Sequence, residues 1–196
     1  MDRLSREPVS GDRERHLCDR IATLTPGVDA VLVSDYRLGV VTPAVVATVR
    51  EEARRHGVLT TVDTQGNLAA FRGFDLVRCN AQEAAGYLGR ALHTDGDFEE
   101  ALRELVAGLD ARMALISRGA SGLSFITPEG EVRHLPASNR TQVFDVTGAG
   151  DTLIAVVTLA LAAGMDLPTA AALGNRAAGV AVTRLGNVAV RSDEVL

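Results

Sequence analysis

Residues 145–152, Asp-Val-Thr-Gly-Ala-Gly-Asp-Thr, follow Val143-Phe144 and run into a long apolar stretch that begins at Leu153. Gly148 and Gly150 carry no side chain, so the backbone around Ala149 can approach an anion closely, and the N–H groups opening the following helix would point at it. This is the pattern of a phosphate loop. Asp151 then falls in the first helical turn. A carboxylate beside a transferring phosphoryl group is repulsive unless it has a task, and the available task is to take a proton from an attacking hydroxyl.

Composition narrows the setting of that chemistry. The chain has 196 residues, 46% hydrophobic and 23% charged, enough to bury a core in one domain spanning 1–196. A formal charge of -5 and a pI near 5.4 argue against a nucleic-acid surface and favour a small-molecule partner. Cys18 and Cys79 lie far apart without metal-ligand spacing, which reads as two reduced thiols in a cytoplasmic protein. The first sixteen residues hold no apolar run of the secretory kind. The longest nearly apolar stretch, Leu153 to Met165, falls short of the ~20 residues a membrane span needs and reads as a core helix.

The elements that must position the loop follow from periodicity and punctuation. Leu17, Ile21 and Leu24 predict an amphipathic helix before Pro26-Gly27. Short apolar runs at 30–33, 58–62, 75–77 and 113–116 predict buried strands, the first two ending at Asp35 and Asp63. Between them, helices are expected at 43–56, opened by Thr42-Pro43 and closed by Gly57, at 80–88 and at 97–109. Residues 123–127 and 131–135 flank Pro128-Glu129-Gly130 as a hairpin. Two more helices are expected at about 149–164 and 168–185. Alternating strands and helices predict a three-layer α/β/α fold around a largely parallel sheet, with the site at the carboxyl ends of the strands.

Asp145-Val146-Thr147-Gly148-Ala149-Gly150-Asp151 resembles the C-terminal signature of the ribokinase-like (PfkB) carbohydrate kinases. Ser34-Asp35-Tyr36-Arg37-Leu38-Gly39, Val62-Asp63-Thr64-Gln65-Gly66, Asn80-Ala81-Gln82-Glu83, Ser117-Arg118-Gly119-Ala120-Ser121-Gly122 and Asn175-Arg176-Ala177-Ala178-Gly179 extend the likeness in the family's order. Within the family the sequence is most similar to the bacterial heptose-7-phosphate kinase branch, with its ADP-heptose bifunctional relatives. The resemblance implies ATP-dependent phosphorylation of a sugar or sugar-phosphate hydroxyl with magnesium, and a monovalent cation near the 145–150 loop. It implies that Asp151 is the general base and that Gly148, Ala149 and Gly150 form the anion hole. Asn80 and Glu83 match the Asn-x-x-Glu motif, Glu83 acting on magnesium through water. Ser117, Gly119 and Gly122 match the nucleotide-side turn, and Asn175 a position facing the base or ribose.

Each assignment has a structural rival. Asn80 and Glu83 also have capping-box spacing, and Ser117 to Gly122 is also a tight turn before a hairpin. Asp35 and Asp63, candidate substrate residues, equally suit loop solvation. His16, His56, His93 and His134 lack ligand spacing and are expected on the surface.

The sequence also departs from the family. Leu38 stands where the branch has lysine, Thr64-Gln65 replaces Pro-Lys, and Cys79 replaces the proline before Asn80. A family member begins with a strand bearing substrate-binding acids, a β lid and a Gly-Gly-Asn segment; none is present, and residues 3–7 resemble the segment that follows them. The expectation is therefore a fold lacking its N-terminal strands and lid, with an exposed sheet edge open to homo-oligomerisation or a completing chain. A nucleotide-binding remnant without catalysis stands beside the kinase as the alternative.

Overall fold

The computed structural model describes residues 6–139, 145–186 and 189–195, so Val143, Phe144 and residues 3–5 of the sequence motifs lie outside the described residues. Among these residues six strands form one sheet in sequential order: β1 (Ala30–Asp35), β2 (Leu59–Thr64), β3 (Leu76–Asn80), β4 (Met113–Ser117), β5 (Leu123–Ile126) and β6 (Val132–Leu135). The first four are parallel, and β5 and β6 close the sheet as an antiparallel hairpin. Registers pairing Asp35 with Thr64 and Asn80 with Ser117 bring the carboxyl ends of the parallel strands into one row.

Helices cover both faces. On one side α2 (Pro43–His56), α3 (Ala81–Leu88) and α4 (Asp95–Leu109) bury Val46, Val49, Ala84, Phe98, Leu102 and Leu105 against the sheet. Here α1 (Asp12–Leu24) packs on α2. On the other side α5 (Ala149–Ala162) and α6 (Leu167–Ala181) meet Leu76, Leu115 and Phe125 through Leu153, Ile154, Val157 and Ala170. A short α7 (Ser192–Val195) follows. The three-layer α/β/α arrangement with a mostly parallel sheet is the one the alternation of elements predicts.

Local chemistry explains the boundaries. Thr42 accepts the Val45 N–H, Pro43 opens α2 and Gly57 closes it in the left-handed region. Helix α4 starts earlier than its hydrophobic stripe suggests, because Thr94 is the N-cap and Asp97 the reciprocating third residue of a capping box. Donation from the Thr94 and His93 N–H groups holds the Asp97 carboxyl down at about 2. Strand β3 runs on to Asn80, past the expected 75–77, because Arg78 and Asn80 remain in the ladder with β4. Thr61 and Thr158 share a buried 2.7 Å hydrogen bond that fixes α5 over β2.

His134 departs from the expectation of a surface histidine. It is half-buried, with Nδ1 2.8 Å from Ser124 Oγ and 3.3 Å from Arg118 Nη1. No helix among the described residues is long and apolar enough to cross a membrane.

Candidate active site

Helix α5 opens at Gly148, a left-handed N-cap with φ 77°, and no side chain caps its first turn. The Ala149 N–H turns back to the Val146 carbonyl at 3.2 Å, and with no side chain in the way the rest of the first turn is open to an anion. Asp145 braces the approach: Oδ1 accepts the Thr147 N–H at 2.9 Å and Oδ2 the Gly186 N–H at 3.0 Å. Hydrogen bonding from Thr147, then from Gly186, holds that carboxyl below its ordinary value.

The residue that sequence reading missed lies against this loop. Arg78, near the end of β3, donates from Nη1 to both Asp63 oxygens at 2.9 and 2.8 Å and from Nη2 to Ser117 Oγ at 2.8 Å. The pair is largely enclosed, the side chains being 11% and 13% exposed. Burial pushes the Asp63 carboxyl above its ordinary value, and Arg78 pulls it part of the way back. A Cβ on Gly150 would lie 2.7 Å from Arg78 Nη1. Gly150 therefore admits the guanidinium beneath the loop, a role beyond close approach to phosphate. The available signal was a lone charge inside Leu76-Val77-Arg78-Cys79, a run otherwise suited to a buried parallel strand. Cys79 itself is fully buried, and burial pushes its thiol up to about 12.

The Asn80 side chain accepts the Glu83 N–H, and Glu83 Oε2 accepts the Asn80 N–H, both at 2.8 Å. The capping box is thus real, and Asn80 in addition lines a cavity of about 440 Å³. Burial raises the Glu83 carboxyl, against the Asn80 hydrogen bonds that lower it. Ser117, Gly119, Gly122, Ala149, Gly150 and Asn175 border the same cavity. The Asn175 side-chain amide donates to the Pro136 carbonyl at 2.8 Å, while the Asn175 backbone carbonyl accepts the Ser138 hydroxyl at 2.8 Å, so the residue fastens the 136–138 segment to α6. Gly122, at φ 95°, leaves no room for a side chain: a Cβ would lie 2.0 Å from the Leu135 carbonyl oxygen. The tight turn and the cavity wall are one structure.

A second cavity, of about 480 Å³, lies on the other side of the loop beside the sheet edge, bordered by Leu32, Ser34, Tyr36, Gly148, Asp151 and Ile154. Tyr36 donates its hydroxyl to Asp151 Oδ1 at 2.5 Å. That hydrogen bond, ahead of burial, raises the phenol above its ordinary value. Tyr36 belongs to the Ser34-to-Gly39 motif, and nothing local to that motif points to Asp151, 115 residues away. Asp35, its neighbour, is 5% exposed and borders neither cavity; Oδ1 accepts the Arg37 N–H at 2.8 Å and Oδ2 the Thr64 hydroxyl at 3.1 Å. It builds the turn that carries Tyr36. Asp63 likewise borders neither cavity, being paired with Arg78.

The donor set bears on magnesium. Among the described residues no three His, Cys, Asp or Glu side chains cluster closely enough to cage a metal. Arg78 acts electrostatically on both Asp63 and Glu83, and Asp151 acts on Asp63. Glu83 borders neither cavity, so it fits a cation that keeps its waters between itself and the carboxylate and takes its remaining ligands from bound phosphates.

A family model described as pfkB family carbohydrate kinase matches residues 23–193. The bifunctional protein HldE of Trichlorobacter lovleyi is 38% identical over 197 aligned residues, covering 100% of this chain and 40% of that protein. The same-named protein of Geobacter sulfurreducens is 37% identical with the same coverage. The chain thus spans 40% of the length of these curated relatives. Among solved structures, phosphofructokinase-2 from Escherichia coli in complex with potassium superposes with a TM-score of 0.83 at 22% identity, over 96% of this chain and 61% of that one. Arabidopsis thaliana ribokinase complexed with ribose and ATP gives 0.70 at 19%, over 92% and 55%. The structures agree on the fold, and the match of the family model across nearly the whole sequence places the chain in the pfkB family of carbohydrate kinases.

Proposed function

We propose that residues 1–196 form one kinase domain that transfers the ATP γ-phosphoryl group to a hydroxyl of a sugar or sugar phosphate. Heptose 7-phosphate is the candidate acceptor on the likeness to HldE. The observation that carries this reading is the position of the α5 N-terminus between two cavities, with Ala149 and Gly150 on one and Gly148 and Asp151 on the other. A nucleotide in the cavity of about 440 Å³ directs its terminal phosphate at the N-terminus of α5, while an acceptor in the other reaches the carboxylate.

Asp151 takes the acceptor's proton as its oxygen attacks. The N–H groups of Gly148, Ala149 and Gly150 stabilise charge developing on the γ-phosphoryl oxygens. Arg78, fixed by Asp63 and Ser117, adds positive potential beneath the loop. Asn80, Ser117, Gly119, Gly122 and Asn175 shape the nucleotide wall. Magnesium, when bound, neutralises the phosphates, with Glu83 reaching it through its water shell. The likeness to the potassium-bound phosphofructokinase supports a monovalent cation beside the 145–150 loop. The family and the two free thiols support a cytoplasmic setting. Asp151→Asn should lower ATP-dependent sugar phosphorylation by about 10²- to 10⁴-fold. Retention of full turnover would remove Asp151 from the role of base.

A second reading, a nucleotide-binding remnant or assembly partner without sugar turnover, is favoured by the edge strand. Among the described residues β1 has a paired strand on one side alone, and Leu159 on the adjoining α5 is 70% exposed. An unpaired parallel edge beside an apolar helix face suits a second copy or a completing chain. Calorimetry with ATP-magnesium and a sugar panel separates the readings: nucleotide binding without turnover on any sugar supports the remnant.

A further inference from the structure

We propose that Tyr36 is an internal phosphoryl acceptor, phosphorylated by the chain's own site. The inference rests on the nucleotide reading above, and its starting point is the place an acceptor hydroxyl must occupy. That hydroxyl has to sit within hydrogen-bond reach of the base and beside the anion-binding end of α5. In this structure the position is filled by Tyr36 Oη, 2.5 Å from Asp151 Oδ1 and in the same cavity as Gly148.

Three further features suit the phenol to the role. It is held from below, because the buried Asp35 carboxylate accepts the Arg37 N–H and the Thr64 hydroxyl and so fixes the turn after β1. It is 47% exposed at an open cavity, so the product can turn toward water without disturbing the core. A phenol, with an ordinary pKa of about 10, also surrenders its proton to a base more readily than a sugar hydroxyl does. Asp151 raises the phenol's pKa by accepting its hydrogen bond, so the proton is present and aimed at the carboxylate before reaction.

The step balances with a magnesium-bound nucleoside triphosphate as donor. Asp151 Oδ1 removes the Tyr36 proton, Oη forms a bond to the γ-phosphorus, and the bond from that phosphorus to the bridging oxygen breaks. The nucleoside diphosphate leaves with the electron pair. Asp151 returns its proton to water in the open cavity, and the product is phosphotyrosine.

The test incubates the purified 196-residue chain with ATP and magnesium and follows intact mass and mapped peptides, with nucleotide affinity measured on the same samples. The expected result is one phosphoryl group per chain on the Tyr36 peptide, at a rate independent of protein concentration. It should be absent in Tyr36→Phe and slowed about 10²-fold or more in Asp151→Asn, with nucleotide still bound by both. Nucleotide binding with no phosphotyrosine, or a rate that rises with protein concentration, overturns the internal acceptor and leaves the kinase reading in place. Failure to bind nucleotide overturns both. The unliganded protein supplies a second readout. Tyr36 and Tyr87 are the chain's two tyrosines, so Tyr87→Phe isolates the Tyr36 phenol for ultraviolet titration. Its midpoint should fall toward the ordinary value on adding Asp151→Asn, and an unchanged midpoint removes the contact on which the proposal stands.

Discussion

The two sides of the α5 N-terminus differ in how much of their environment this chain supplies. The proposed nucleotide side is walled by the ends of β3 and β4, the turn through Gly122 and the face of α6, and its one arginine is paired with a carboxylate and a hydroxyl. The proposed acceptor side is bordered by an edge strand and one flank of α5, and a tyrosine fills the place beside Asp151. The proposed phosphate cradle needs only backbone and one enclosed ion pair, all supplied by the described strands and α5. The proposed acceptor pocket has for one wall the side of β1 that carries no paired strand among the described residues.

Removing the ion pair should break that completeness most severely. Arg78→Ala leaves Asp63 enclosed without a partner, which costs about 3–5 kcal/mol of stability in urea unfolding. The pH dependence has a definite sign. The folded Asp63 carboxyl is already raised by burial, so its ionisation opposes folding, and stability falls as pH rises from its unfolded value of about 3.9 toward the folded one. Without Arg78 the folded value rises further, and the loss extends closer to neutrality. The double variant Arg78→Ala with Asp63→Asn should flatten that slope and recover part of the stability. A wild-type profile for Arg78→Ala would show that the nucleotide side does not depend on the pair.

Gly122→Ala tests the same wall through backbone. The residue would need a positive φ, and its Cβ would meet the Leu135 carbonyl at 2.0 Å, so the expected loss is about 2–3 kcal/mol with weakened nucleotide affinity. Loss of stability with unchanged affinity would separate the turn from the site.

The legibility of the two sides in the sequence follows from the same physics. The Thr42-Pro43 start and the Gly148-to-Asp151 helix opening are local patterns, and each forms where its spacing predicts; the helix stripes form as well, though α4 opens two residues early and α6 ends at Ala181. Arg78 and Tyr36 act through partners 15 and 115 residues away, and local periodicity is silent on such pairs. Asp35 shows the converse. A strand-end carboxylate suggests a ligand, but its burial and two internal donors make it part of the turn. His134 was expected outside because nothing in its own neighbourhood announces Ser124 across the hairpin.

Asn80→Ala sharpens the comparison at smaller cost. It removes the N-cap of α3 and should lower stability by about 1 kcal/mol, whereas Asn80→Asp keeps the cap. Because Asn80 also borders the nucleotide cavity, both variants should weaken ATP binding, the aspartate by repulsion of phosphate. If Asn80→Asp retains both stability and affinity, the residue serves the helix alone.

The smallest expected effect lies on the acceptor side. Leu159 points away from both cores and is 70% exposed, so Leu159→Arg should shift stability by no more than about 0.5 kcal/mol. The prediction discriminates because a leucine on an otherwise apolar helix would normally be buried, and its exposure is what defines this flank as uncovered. A midpoint shift corresponding to about 2 kcal/mol or more would mean that protein covers the residue in solution, as burial of a leucine side chain of that size requires. The acceptor side would then be closed by a contact involving α5, and the contrast between its two flanks would lie in which polypeptide supplies the wall.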